Sequence, residues 1–64
     1  MQIEDFEYLL AITEHTSMGR AAEALGMSQP ALTKAVHRLE QQAGLPLFVR
    51  NAKGMLPTEA GQAS

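Results

Sequence analysis

The stretch MGRAAEALGMSQPALTKAVH, Met18–His37, decides how this chain folds. Met18, Ala21, Ala22 and Leu25 recur at the i, i+3, i+4, i+7 spacing of one helix face, and Ser17 ahead of them has the side-chain oxygen of a good N-cap. Gly26 follows Leu25 and supplies the left-handed residue that ends a helix sharply. The helical pattern resumes almost at once. Ser28 is a second N-cap, and Pro30 stands in the first turn, where its missing N–H costs nothing. Leu32, Val36, Leu39 and Ala43 make the buried stripe of this next helix. Two short helices joined by a tight glycine-containing turn are the physical signature of a helix-turn-helix. Ala21, Ala22 and Gly26 keep bulk out of the turn, while Leu25, Leu32 and Val36 fill the angle between the helices.

Upstream, residues 3–14 read as an amphipathic helix with Ile3, Phe6, Leu9, Leu10 and Thr13 on one side, the side expected to face the core. Tyr8 and Ile12 form a smaller apolar patch on another side, which predicts a second packing partner, a linker helix, beyond the domain's own core. His15-Thr16-Ser17 breaks the pattern. Downstream, Gly44 stops the third helix, Leu45 is placed to fold back on Leu39, and Pro46 prevents resumption. Leu47–Arg50 favours a strand, Asn51–Gly54 a turn, and Met55-Leu56 a returning strand that Pro57 ends or confines to a sheet edge. Thr58 reads as the cap of a fourth helix, with Glu59 in its first turn. Only six residues follow Thr58, too few for a helix to stand alone, so the C-terminus reads as truncated. The expectation is a mainly α winged helix-turn-helix, three helices plus a two-stranded β wing over residues 1–57, with 58–64 the start of a linker helix.

Composition sets the bounds. The chain has 64 residues, enough for one small domain, which buries only roughly 60% of the surface its unfolded form exposes. A hydrophobic fraction of 45% suits a packed core and argues against disorder. There is no cysteine, so neither a disulfide nor a thiolate metal site staples the fold. The acidic start, Met1-Gln2-Ile3-Glu4-Asp5, is unlike a secretory signal, and no apolar run approaches the ~20 residues of a membrane span. The expected location is the cytoplasm, with no membrane partner.

A formal net charge of −2 argues at first against a nucleic-acid partner, but its distribution reverses that. Residues 1–27 carry five acids against Arg20, a net of −4; residues 28–53 carry Lys34, Arg38, Arg50 and Lys53 against Glu40, a net of +3. A phosphate-facing surface needs local positive potential, whatever the total. With Leu32 as the inward direction, helical geometry turns Pro30, Lys34, His37 and Gln41 outward, with Thr33 flanking and Gln29 at the helix tip. A recognition helix enters the major groove with its N-terminal residues against base edges. Gln29 has the amide that pairs with adenine, Thr33 a hydroxyl and a methyl, and Pro30 apolar contact only. Lys34 stands with this base-facing group and brings a charge to the backbone. Ser28, Arg20, His37, Arg38, Arg50 and Lys53 are the phosphate and wing candidates, contacts that set register rather than sequence.

The run Ala21-Ala22-Glu23-Ala24-Leu25-Gly26-Met27-Ser28-Gln29-Pro30-Ala31-Leu32-Thr33 resembles the core signature of LysR-type transcription regulators of bacteria. Arg38-Leu39-Glu40, Gly44-Leu45-Pro46-Leu47-Phe48, Arg50, and then Thr58, Ala60 and Gly61 continue it in register. The resemblance implies sequence-specific DNA binding for transcription regulation, with the recognition helix over 28–43. It also implies a linker helix used for dimerisation, a dimer or tetramer on a dyad-symmetric site, and a small-molecule effector bound by a C-terminal domain absent here. No cofactor is expected in this domain. The sequence departs from the pattern at four positions. Met18 stands where Phe is usual and Lys34 where Arg is frequent; Pro57 replaces a usual Leu and Glu59 a common Pro.

Plainer readings compete. Taken alone, Gln29 is a solvated first-turn residue, and Lys34 and Arg38 are ordinary helix charges. Arg20 either meets a phosphate or pairs with Glu23, and His37 either touches DNA or is a spectator. Two isolated histidines do not make a metal site. There is no nucleophile with a neighbouring base and no glycine-rich phosphate loop, so an enzyme is not expected. The alternative function is a winged-helix protein-interaction module, which would show an apolar patch on the outer face of the third helix.

Overall fold

The computed structural model describes residues 2–59, in which five elements follow in order: α1 (Ile3–His15), α2 (Met18–Leu25), α3 (Gln29–Ala43), β1 (Phe48–Asn51) and β2 (Gly54–Pro57). The starts of α2 and α3 are those the hydroxyl residues dictate. Ser17 Oγ accepts the Arg20 N–H at 3.3 Å and Ser28 Oγ accepts the Ala31 N–H at 3.2 Å, each satisfying a backbone donor that the helix leaves orphaned. Gly26, at φ 70°, closes α2, and only Met27 and Ser28 separate it from α3. The chain reverses that quickly because the left-handed turn needs no side chain to be accommodated.

The core is the angle between the three helices, closed below by the start of the wing. Ile12 and Leu32 are its fully buried large side chains, with Val36, Leu39, Leu47 and Phe48 around them. Ala21 and Ala22 are buried too, and their small size lets α2 lie against both α1 and α3. The stripe of α3 is shorter than its periodicity suggests. Leu32, Val36 and Leu39 are buried, but Ala43 is exposed, because the core ends where Leu47 and Phe48 fold under. Leu45 does not fold inward onto Leu39. It remains exposed, and only its backbone N–H turns back, to the Glu40 carbonyl.

Helix α1 packs mainly with the side that its smaller apolar patch marks, and of its larger apolar stripe only Leu9 reaches the core. Ile12 is completely buried, with Asp5 and Ala11 beside it and Tyr8 and Leu9 half-buried against the core. Ile3 is 81% exposed, Phe6 52% and Leu10 49%. The expected linker-helix contact through Ile12 is therefore corrected: Ile12 is core, and the outward stripe is Ile3, Phe6 and Leu10. The physical reason lies at Asp5. A charged residue interrupts the inward stripe in sequence, yet here its carboxylate is satisfied. Oδ2 accepts the Gln2 N–H at 3.0 Å and Oδ1 accepts from the Arg38 guanidinium at 2.8 Å. A buried carboxylate with partners is tolerated where an unpaired one is not.

The wing is an antiparallel hairpin pairing Phe48 with Pro57, Val49 with Leu56, Arg50 with Met55 and Asn51 with Gly54. Its loop is the two residues Ala52-Lys53, tightened by Asn51, whose Oδ1 accepts the Lys53 N–H at 2.8 Å. The strands thus reach one residue further into the turn than the sequence suggests, and Pro57 takes the last pairing position, where a missing N–H is tolerated. Thr58 N–H donates to the Leu47 carbonyl, and Thr58 Oγ1 donates to the Pro46 carbonyl at 2.8 Å. Residues 60–64, the remainder of the expected fourth helix, lie outside the described residues.

The reversed roll of α1 has a measurable consequence. Ile12→Ala should cost about 2–5 kcal/mol in urea unfolding, enough to unfold most of a domain this small. Ile3→Ala should stay within about 0.5 kcal/mol. The opposite ranking would place the core on the other side of α1.

Candidate nucleic-acid interface

Burying Leu32, Val36 and Leu39 fixes the roll of α3 and thereby its outer face. Gln29, Pro30, Lys34, His37 and Arg38 are exposed, and Thr33 is half-buried at the margin. Ser28 is also exposed, but its hydroxyl is engaged in capping α3. The residues singled out at the N-terminal half of the recognition helix therefore do share one surface. That surface carries no large apolar side chain, unlike the outer face of α1.

Two open grooves run between α3 and the wing. One, of about 370 Å³, lies between Gln29, the start of α2 at Ser17–Gly19, and the wing at Arg50 and Asn51. The other, of about 240 Å³, has Thr33, His37 and Glu40 on the helix side and Phe48, Arg50 and Met55 on the wing side. Arg50 lines both on the wing side, whereas Lys53 lines neither and stands exposed in the hairpin loop. His37 is a groove wall. Arg20 is exposed in the first turn of α2 and makes no ion pair with Glu23; the Asp5–Arg38 bridge is the ion pair present among the described residues.

That bridge changes the standing of Arg38. Its guanidinium is tied back to Asp5 at 2.8 Å while the side chain remains 57% exposed. One contact is used internally, and the rest of a five-donor group faces solvent. Arg38 is thus a tether between α1 and α3 as well as a surface charge. The outward Lys34 has no such tie.

Several residues that hold this surface in place were not legible as such. Glu40 lies on the inner flank of α3, and its Oε2 accepts the Leu47 N–H at 2.9 Å and the Phe48 N–H at 3.4 Å, fastening the start of the wing to the helix. Thr16, left-handed at φ 52°, offers its carbonyl to the Met55 N–H at 2.8 Å, fastening the returning strand to the α1–α2 turn. Gly54 makes that contact possible: at φ 110° it sits in a region that favours glycine, and a Cβ there would overlap the Thr16 carbonyl oxygen. A glycine in a hairpin turn is a readable signal, but its close approach to Thr16 is a tertiary fact. No cluster of three or more metal-ligating side chains occurs among the described residues.

Comparison with known proteins agrees with this geometry. Residues 3–62 match the bacterial regulatory helix-turn-helix proteins of the lysR family. The chain belongs to the LysR family. Among curated LysR-type relatives it is 43% identical over 63 residues to the HTH-type transcriptional regulator BudR of Klebsiella aerogenes, covering 98% of this chain and 44% of BudR. It is 41% identical over 61 residues to the DNA-binding transcriptional dual regulator OxyR of Escherichia coli K12, covering 95% of this chain and 20% of OxyR. The chain thus spans less than half the length of either. The solved CbnR DNA-binding domain in complex with DNA superposes with a TM-score of 0.88 at 35% identity, over 98% of this chain and 72% of that one. The BenM DNA-binding domain on benA site 1 DNA gives 0.90 at 28% identity, covering 98% and 71%.

The wing's seat can be tested directly. Gly54→Ala should cost about 1–3 kcal/mol from backbone strain, before the overlap with Thr16 is relieved. A urea midpoint equal to that of the parent chain would mean that the wing does not rest on Thr16.

Proposed function

We propose that this chain is the sequence-specific DNA-binding domain of a bacterial transcription regulator, with α3 in the major groove and the hairpin alongside. The observation that carries this reading is the outer face of α3. Gln29, Pro30, Thr33 and Lys34 lie together at its N-terminal half, polar or cationic apart from Pro30, while the same helix is held from behind by Leu32, Val36 and Leu39. An α-helix is about 10–12 Å across with its side chains, and the major groove is about 12 Å wide. Gln29 and Thr33 reach base edges; Pro30 adds apolar contact, and Lys34 sits where it meets either a base edge or a phosphate. Arg20, His37, Arg38, Arg50, Lys53 and the Ser28 region contact the backbone. The DNA complexes of CbnR and BenM, two structural neighbours, support the assignment.

The apolar patch that a docking module would need is not on α3 but on α1, where Ile3, Phe6 and Leu10 face outward. This favours a division of labour in the intact regulator: α3 and the wing meet DNA, and the outer face of α1 receives the linker helix. The whole protein would be a cytoplasmic homo-oligomer, a dimer or tetramer, with a small-molecule effector site in a C-terminal domain and no cofactor in this one. No described helix is long and apolar enough to cross a membrane. The curated relatives are transcriptional regulators, and this chain carries no catalytic role in the proposal.

Binding titrations at several salt concentrations separate the two kinds of contact. Gln29→Ala and Thr33→Ala should each cost about 1–3 kcal/mol on the cognate site and relax base preference. Lys53→Ala should weaken specific and random duplexes alike and flatten the salt slope by about one. Equal losses on specific and random DNA for Gln29→Ala would remove its base-reading role.

A further inference from the structure

Helix α2 carries a glycine at position 19, in its first turn, where alanine would serve the helix better. The backbone does not ask for it, since the positive φ values among the glycines fall at Gly26, Gly44 and Gly54. Nor does a helix crossing, since Gly19 is exposed. What occupies the missing side chain's space is the recognition helix's own first residue. A Cβ at position 19 would lie 3.3 Å from Gln29 Oε1 and 3.9 Å from Ser17 Oγ. The first distance is tighter than ordinary van der Waals contact, so with any larger residue the carboxamide has to give by a few tenths of an ångström.

We propose that Gly19 is a positioning residue for base recognition, its bare Cα letting the Gln29 carboxamide lie against the start of α2 and so setting which groups Gln29 presents to DNA. The proposal rests on the reading of Gln29 as a base contact. A primary amide has two unlike ends, an acceptor oxygen and a donor nitrogen. With the oxygen turned to α2, the nitrogen occupies the other side of the group. Discrimination between bases depends on which end meets which groove atom, because acceptor and donor patterns differ from pair to pair. Recognition groups must be held within about 0.5 Å of their productive geometry, so a shift of a few tenths of an ångström, harmless to the fold, takes up much of that margin. Arg50 of the wing lines the same groove as Gln29 and Gly19.

The test is Gly19→Ala in the full chain, alone and combined with Gln29→Ala. Stability, site selection from random duplexes, and the Gln29 side-chain NH2 resonances of the free protein are compared. Gly19→Ala should raise the melting temperature by a few degrees, since alanine is the better helix former. It should also shift the Gln29 side-chain resonances and reduce specific over random affinity roughly 5-fold or more, at the one base pair that Gln29→Ala also relaxes. In the Gln29→Ala background the substitution should change nothing further. An unmoved Gln29 resonance and unaltered site preference in Gly19→Ala would overturn the proposal, as would a changed preference that persists without Gln29. If Gln29→Ala itself keeps the parent preference, the base-reading role falls and this inference with it. If Gln29→Ala loses the preference while Gly19→Ala keeps it, only the role of Gly19 falls.

Discussion

Everything that faces outward on α3 is decided by what faces inward. Leu32 is fully buried and Val36 and Leu39 nearly so, and removing those side chains from water contributes roughly 1.5–3 kcal/mol each. In a small domain with a few kcal/mol of net stability, no alternative roll of the helix competes. A rotation of one residue would expose Leu32 and bury in its place only the small side chain of Ala31 or Thr33. The polar face is therefore presented rigidly because the apolar face has nowhere else to go. Pre-organisation of this kind lowers the ordering cost of binding.

Polar contacts then locate the remaining pieces relative to α3. Asp5 joins α1 to Arg38, Glu40 holds the backbone of Leu47 and Phe48, and the Thr16 carbonyl holds Met55. None of these is a large energy in isolation, since a hydrogen bond contributes about 0.5–1.5 kcal/mol net. Their value is directional. A two-stranded hairpin is marginal alone, and here it is fixed at one end by a carboxylate of α3 and at the other by the turn between α1 and α2. Arg50 is carried by the strand between those two attachments, and so its distance from Gln29 and Thr33 is set by the fold. The place of the wing beside α3 is therefore built into the fold.

The sequence was most informative where local rules and tertiary packing coincide. Ser17, Gly26, Ser28, Pro30 and Gly44 each impose a backbone state that needs no distant partner, and the helix boundaries they imply are the observed ones. The inward stripe of α3 was legible for the same reason, up to Ala43, where the end of the core is determined by Leu47 and Phe48 rather than by the helix itself. Helix α1 was misread because it is apolar on two sides. Periodicity ranks stripes by hydrophobicity, but burial is decided by which stripe accommodates Ala21, Ala22 and Arg38, and Asp5 disguised the winner. The outward placement of Gln29, Pro30 and Lys34, with Thr33 at the margin, was legible from the roll of α3. The supports at Thr16, Glu40 and Gly54, and the space that Gly19 leaves beside Gln29, depend on contacts between elements that no local pattern encodes.

The central claim is that α3 meets a duplex with the face opposite its buried stripe. Titrating isotope-labelled protein with a cognate duplex at low ionic strength, and mapping the amide and side-chain shifts, tests it most directly. The largest changes should fall on Gln29, Thr33, Lys34 and the wing at Arg50 and Lys53, and should fade as salt is raised. Changes centred on Ile3, Phe6 and Leu10 of α1, or none at all, would contradict it.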